Sequence, residues 1–64
     1  MAIKDLAVRT TSDEVISLFW DAEENSCFVV INSRHDETDS IIRPPNEKAL
    51  EAFYHPALFE RVAA

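Results

Sequence analysis

Few side chains in this sequence have the makings of chemistry: Cys27, His35, His55 and the acid-rich run His35-Asp36-Glu37-Thr38-Asp39. A cysteine with a histidine suggests a thiolate nucleophile and its base, and an imidazole among carboxylates suggests a loose site for a divalent cation. Spacing argues against both. Cys27 and His35 are eight residues apart at either end of one apolar run, and on a continuous strand that is about 26 Å, far outside hydrogen-bond reach. His55 can approach Cys27 from the C-terminal segment, but nothing in the sequence offers the donors of an oxyanion hole. Cys27 therefore reads as a buried structural residue. The acidic run lacks the spacing and the glycine of a calcium loop, and polar hairpin tips are commonly just solvated. We expect no catalytic residue, no metal site, no cofactor and no small-molecule substrate.

Two aromatic groups carry binding potential instead. Phe53 and Tyr54 beside His55-Pro56 can form a peptide anchor, although a histidine and proline there also suit a helix end. Trp20 closes an apolar run and serves either as a cap on the core or as an interface anchor.

The chain of 64 residues has no glycine, where ordinary usage gives about four or five. That removes the Gly-rich phosphate loop, the dinucleotide fingerprint, the serine elbow and the GXXG nucleotide clamp, each of which depends on backbone only glycine allows. Twelve acidic residues against six basic give a net charge of -6. No Lys or Arg stands between Arg9 and Arg34, while Asp13, Glu14, Asp21, Glu23 and Glu24 do. Such a surface repels phosphate and steers toward basic partners, so direct nucleic-acid binding is not expected. The longest apolar-rich run, Val15 to Trp20, is far short of a membrane span, and Lys4 and Asp5 interrupt the N-terminus. We expect a cytoplasmic protein with no membrane association. A single cysteine allows no internal disulfide, and a chain this short removes only about 60% of its unfolded surface from water. Assembly with a partner follows as an expectation.

The elements that position these residues can be read from period and punctuation. Val15 to Trp20, Cys27 to Ser33 and Ile41 to Arg43 are rich in β-branched and aromatic residues, are separated by polar clusters and end at Pro44-Pro45. The clusters Glu23-Glu24-Asn25-Ser26 and Glu37-Thr38-Asp39-Ser40 align, each offering Asn or Asp where a hairpin needs a left-handed residue. The reading is an α+β fold: a three-stranded antiparallel β-meander followed by a C-terminal helix kinked at a proline, in one domain over residues 1–64. The helix spans Asn46 to Phe59, with Ala49, Leu50, Phe53, Tyr54, Ala57 and Leu58 at helical spacing, and breaks at His55-Pro56 into a short second helix, Ala57 to Val62. Residues 1–13 form either a flexible arm or a fourth strand at the edge. A competing reading makes Thr11-Ser12-Asp13-Glu14 a capping box that starts a helix through Trp20, against the β-rich composition that follows.

A three-residue loop, Glu23 to Asn25, sets Asp21 opposite Cys27, Trp20 opposite Phe28, Phe19 opposite Val29 and Leu18 opposite Val30. One face then carries Ile16, Leu18, Trp20, Phe28, Val30 and Ile42, and the other Val15, Phe19, Cys27, Val29, Ile31 and Ile41. A single helix covers one face, which leaves the other as an interaction surface. The expected interface is Val15, Phe19, Val29, Ile31 and Ile41, with Trp20 as an anchor. The expected function is a non-catalytic protein-protein interaction module that forms a homodimer or binds a larger protein partner. The alternative is an acidic regulator whose carboxylates imitate nucleic-acid charge and occupy a basic groove on a partner.

Overall fold

β-branched and aromatic side chains fit a pleated, half-buried surface, and the runs that carry them are strands. The computed structural model describes residues 3–35 and 38–63. Strands β1 (Ile3–Thr10), β2 (Glu14–Asp21), β3 (Ser26–Ser33) and β4 (Asp39–Ile42) form one antiparallel sheet, joined at its far edge by the two-residue β5 (Val62–Ala63). Spatial order follows chain order, β1-β2-β3-β4-β5. After Pro44-Pro45 a single 3-10 turn, Asn46–Lys48, leads into helix α1 (Ala49–Tyr54), and a second, Pro56–Leu58, follows. The chain is thus α+β, an antiparallel meander before a C-terminal helix, and its N-terminal segment is an edge strand rather than an arm.

The turns explain why. Thr11 Oγ accepts from the N–H groups of Asp13 at 3.3 Å and Glu14 at 3.0 Å, and the Thr11 N–H donates to the Glu14 carbonyl at 2.8 Å. The hydroxyl therefore does locally what a helix cap does, but it closes the β1–β2 hairpin, so the helical alternative through Trp20 is not realised. At the β2–β3 turn Asp21 Oδ1 accepts from Glu23 N–H at 3.0 Å and from Glu24 N–H at 3.3 Å, and Asn25 adopts φ 52°. Among the described residues Asn25 alone has a positive φ. A non-glycine residue is tolerated there because a short polar side chain suits the left-handed region.

This turn corrects the expected register. The loop covers residues 22–25, so Asp21 faces Ser26, Trp20 faces Cys27, Phe19 faces Phe28 and Leu18 faces Val29. Three- and four-residue loops both end on a left-handed residue, and the Asp21 side chain accommodates one more residue before it. A slip of one residue moves every side chain of β3 to the other face relative to β2.

The core follows from that register. Ile16, Leu18, Val29, Ile31 and Ile42 lie on one face and are buried with Ala49, Ala52 and Phe53 of α1, with Cys27 and Phe59 packed at the margin. Each fully buried aliphatic side chain contributes about 1.5–3 kcal/mol. Only these three positions of α1 turn inward; Leu50 and Tyr54, and Leu58 beyond it, are exposed. The second helix expected over Ala57 to Val62 is replaced by the 3-10 turn and β5, because Pro56 is buried at the turn's start and the chain is extended at Phe59 (φ −121°, ψ 152°).

Six residues make a marginal helix in isolation, so α1 is held from outside. Arg9 of β1 donates from Nε to the Phe53 carbonyl at 2.9 Å and from Nη2 to the Tyr54 carbonyl at 3.0 Å. Its guanidinium also lies 5.6 Å from the Phe53 ring centroid and 5.8 Å from that of Tyr54. A cation on the terminal carbonyls stabilises a helix end, and this one bolts β1 to it. Asn46 makes the matching tie at the helix start: its Nδ2 donates to the Asn25 carbonyl at 2.8 Å, and its Oδ1 accepts from the Cys27 N–H at 3.2 Å.

Candidate functional site

The residues singled out for chemistry are dispersed. Cys27 is half-buried beside the core, whereas His35 lies exposed past the other end of β3, its Nε2 3.0 Å from Asp13 Oδ1. His55 is exposed at the end of α1, where its N–H donates to the Glu51 carbonyl at 2.7 Å. Asp36 and Glu37 of the acidic run fall outside the described residues. Among the described residues no group of three or more His, Cys, Asp and Glu is placed to hold a metal ion, and no buried polar side-chain atom lacks a partner. No helix among them is long and apolar enough to cross a membrane.

What the fold does assemble is a sheet surface. Helix α1 packs on β2 and β3 from one side, and alternation along the strands sends the remaining side chains to the other. The register arranges these in rows across the sheet. The central row is Val8, Ser17, Val30, Ile41 and Val62, from β1 to β5. Toward the 22–25 turn the next row is Asp5, Phe19 and Phe28, continued by Arg43 just past β4. On the other side lie Thr10, Val15, Asn32 and Asp39.

The aromatic row is the ordered part of this face. Phe19 and Phe28 stack with centroids 5.2 Å apart and planes 20° from parallel, and the Arg43 guanidinium lies 5.4 Å from the Phe28 centroid. Offset stacking and a cation on a ring face are both favourable geometries for aromatic side chains. Val8 is 65% exposed and Val62 68% exposed at the two ends of the central row, while Val30, Phe19, Phe28 and Ile41 between them are half-buried. An extra residue in β1 between Asp5 and Ala7 shifts the register there. It leaves Leu6 exposed beside a shallow depression lined by Asp5, Val8, Ser17 and Phe19.

The expected interface set is therefore divided. Val15, Phe19 and Ile41 do lie on the open face. Val29 and Ile31 do not: they are 0% and 1% exposed in the core. Trp20 pairs with Cys27 on the helix-covered side, half-buried at the end of β2. The one-residue register change accounts for the exchange of Val29 and Ile31 for Phe28 and Val30. Arg9 and Arg43 were not singled out from the sequence. Arg43 follows Ile41-Ile42 directly, and the alternation that faces Ile41 outward does the same for Arg43, so that signal was present; Arg9 meets its partners 44 and 45 residues away, and no local pattern marks it.

No family model, no curated protein and no solved structure matches this chain.

Proposed function

We propose that the protein is a small non-catalytic interaction module that self-associates by burying the open face of its sheet. The observation that carries this reading is the central row with its stacked neighbours: Val8, Val30, Ile41, Val62, Phe19 and Phe28 share one face around Ser17, with no element of the described chain over it. Soluble proteins seldom leave such a surface in water without a binding role. A twofold pairing of identical faces is the commonest way to cover one. The single cysteine and the short apolar runs support a cytoplasmic setting.

The charge distribution favours this over an acidic mimic of nucleic acid. Asp13 and Glu14 stand at the β1–β2 turn, whereas Asp21, Glu23 and Glu24 stand at the opposite end of β2. Several are already engaged: Asp13 with His35, Glu14 with Arg61 at 3.2 Å, and Asp21 with its own turn. A mimic needs its carboxylates in one free row.

Sedimentation velocity from low to tens of micromolar, at low and high salt, tests the reading. A dimer that persists at high salt and dissociates on Val30→Asp or Val8→Glu, with native circular dichroism retained, is the expected result. A monomer at every concentration overturns it, as does a dimer indifferent to both substitutions.

A further inference from the structure

We infer that two copies of this chain pair with their twofold axis parallel to the strands, so that Asp5 of each meets Arg43 of the other while Phe19 lies over the partner's Phe28. This rests on the self-association proposed above and specifies its partner surface. The order of the row supplies the argument. It runs acid, aromatic, aromatic, base from β1 to the end of β4, as Asp5, Phe19, Phe28 and Arg43. Rotation about an axis parallel to the strands, passing between β2 and β3, reverses the strand order and leaves the rows matched. Asp5 then opposes Arg43, Phe19 opposes Phe28, and in the central row Val8 opposes Ile41. Packed sheets rotate by about 30° relative to one another, which keeps row against row over four strands.

The other in-plane axis, perpendicular to the strands, exchanges rows instead. It places Phe28 over Asn32, and Arg43 against Asp39. Asp39 is already occupied, since its Oδ1 accepts from Asn32 Nδ2 at 2.7 Å. The Asp5 carboxylate makes no hydrogen bond or ion pair among the described residues, and Arg43 has no carboxylate partner among them; its contact is the Phe28 ring. The opposite charges at the two ends of the aromatic row are thus the two that the first axis brings together. Charges arranged in this way set orientation and exclude wrong pairings. A standard interface takes about 800 Å² from each partner, which is roughly a fifth of this chain's 4452 Å².

The test is a charge exchange measured by sedimentation equilibrium, with circular dichroism on every variant. Asp5 and Arg43 are both exposed, so the substitutions leave the fold intact. Asp5→Arg and Arg43→Asp should each weaken the dimer about tenfold or more, because twofold symmetry makes each substitution act twice and sets like charges together. The double variant D5R/R43D should recover wild-type affinity to within about threefold. A double variant no tighter than the weaker single variant overturns this pairing, and so does recovery by D39R/R43D, which selects the perpendicular axis. Those outcomes presuppose a wild-type dimer; a wild-type monomer instead sinks the self-association reading itself.

Discussion

Val29 and Val30 are adjacent, identical in chemistry and opposite in fate, so the same substitution at each measures the register of the sheet. Val29 is fully buried between Leu18 on β2 and Ile42 on β4, whereas Val30 faces the open side between Ser17 and Ile41. Val29→Asp forfeits about 1.5–3 kcal/mol of apolar transfer. It also buries a carboxylate with no partner, which costs several kcal/mol more. A domain of this length holds roughly 3–10 kcal/mol in total at the usual stability per residue. Val29→Asp is therefore expected to be unfolded at room temperature. Val30→Asp keeps its carboxylate on the open face and loses only cross-strand packing, about 1 kcal/mol or less, which lowers the melting temperature by no more than about 4–8 °C. Far-UV circular dichroism with thermal and guanidinium unfolding, at concentrations where the chain is monomeric, reads both. A cooperative native-like transition for Val29→Asp together with loss of structure in Val30→Asp would refute the reasoning, because a three-residue β2–β3 loop exchanges the two roles.

Two further substitutions probe the ties between elements. Arg9→Ala removes both guanidinium bonds to the end of α1 and two ring contacts; with partial exposure discounted, about 1–3 kcal/mol should be lost. Arg9→Lys should restore less than half of it because an ammonium cannot span two carbonyls as a fork does. Chemical denaturation checks both, and an unchanged midpoint for Arg9→Ala counts against the bolt. At the left-handed turn position Asn25→Gly should be neutral or slightly stabilising and Asn25→Val should cost about 1–2 kcal/mol, as read by melting temperature.

The legible parts of the fold were those written in local pattern. Runs dense in β-branched and aromatic residues marked β2, β3 and β4, the prolines at 44 and 45 marked the change to helix, and Pro56 marked its end. Asn25 was legible as the left-handed residue, but the length of the loop before it was not, because the Asp21 side chain decides that length through two hydrogen bonds to the backbone. The candidate face inherited this single-residue uncertainty: Val15, Phe19 and Ile41 were placed correctly, and Val29 and Ile31 were exchanged for their neighbours. The helix was overestimated for a different reason. Leu50, Tyr54 and Leu58 have helical spacing, yet the sheet accepts only Ala49, Ala52 and Phe53, and the chain then turns back to pair Val62 with Ile41. Partners at such separations leave no trace in a periodicity.

A sheet whose spatial order repeats its chain order has a consequence for how the chain folds. Each neighbouring pair of β1 to β4 is joined by a turn of a few residues, so the meander can grow one hairpin at a time on the microsecond scale of hairpin formation. The tie from Arg9 to α1 instead closes a span of 44 residues. Made directly in the unfolded chain, that closure costs about 2 kcal/mol more in chain entropy than a four-residue turn, so the hairpins must come first. Docking of the helix is therefore the late event, and until Phe53 arrives both sides of the young sheet are apolar and exposed. The interval between sheet and helix is when this chain is most vulnerable to the wrong neighbour.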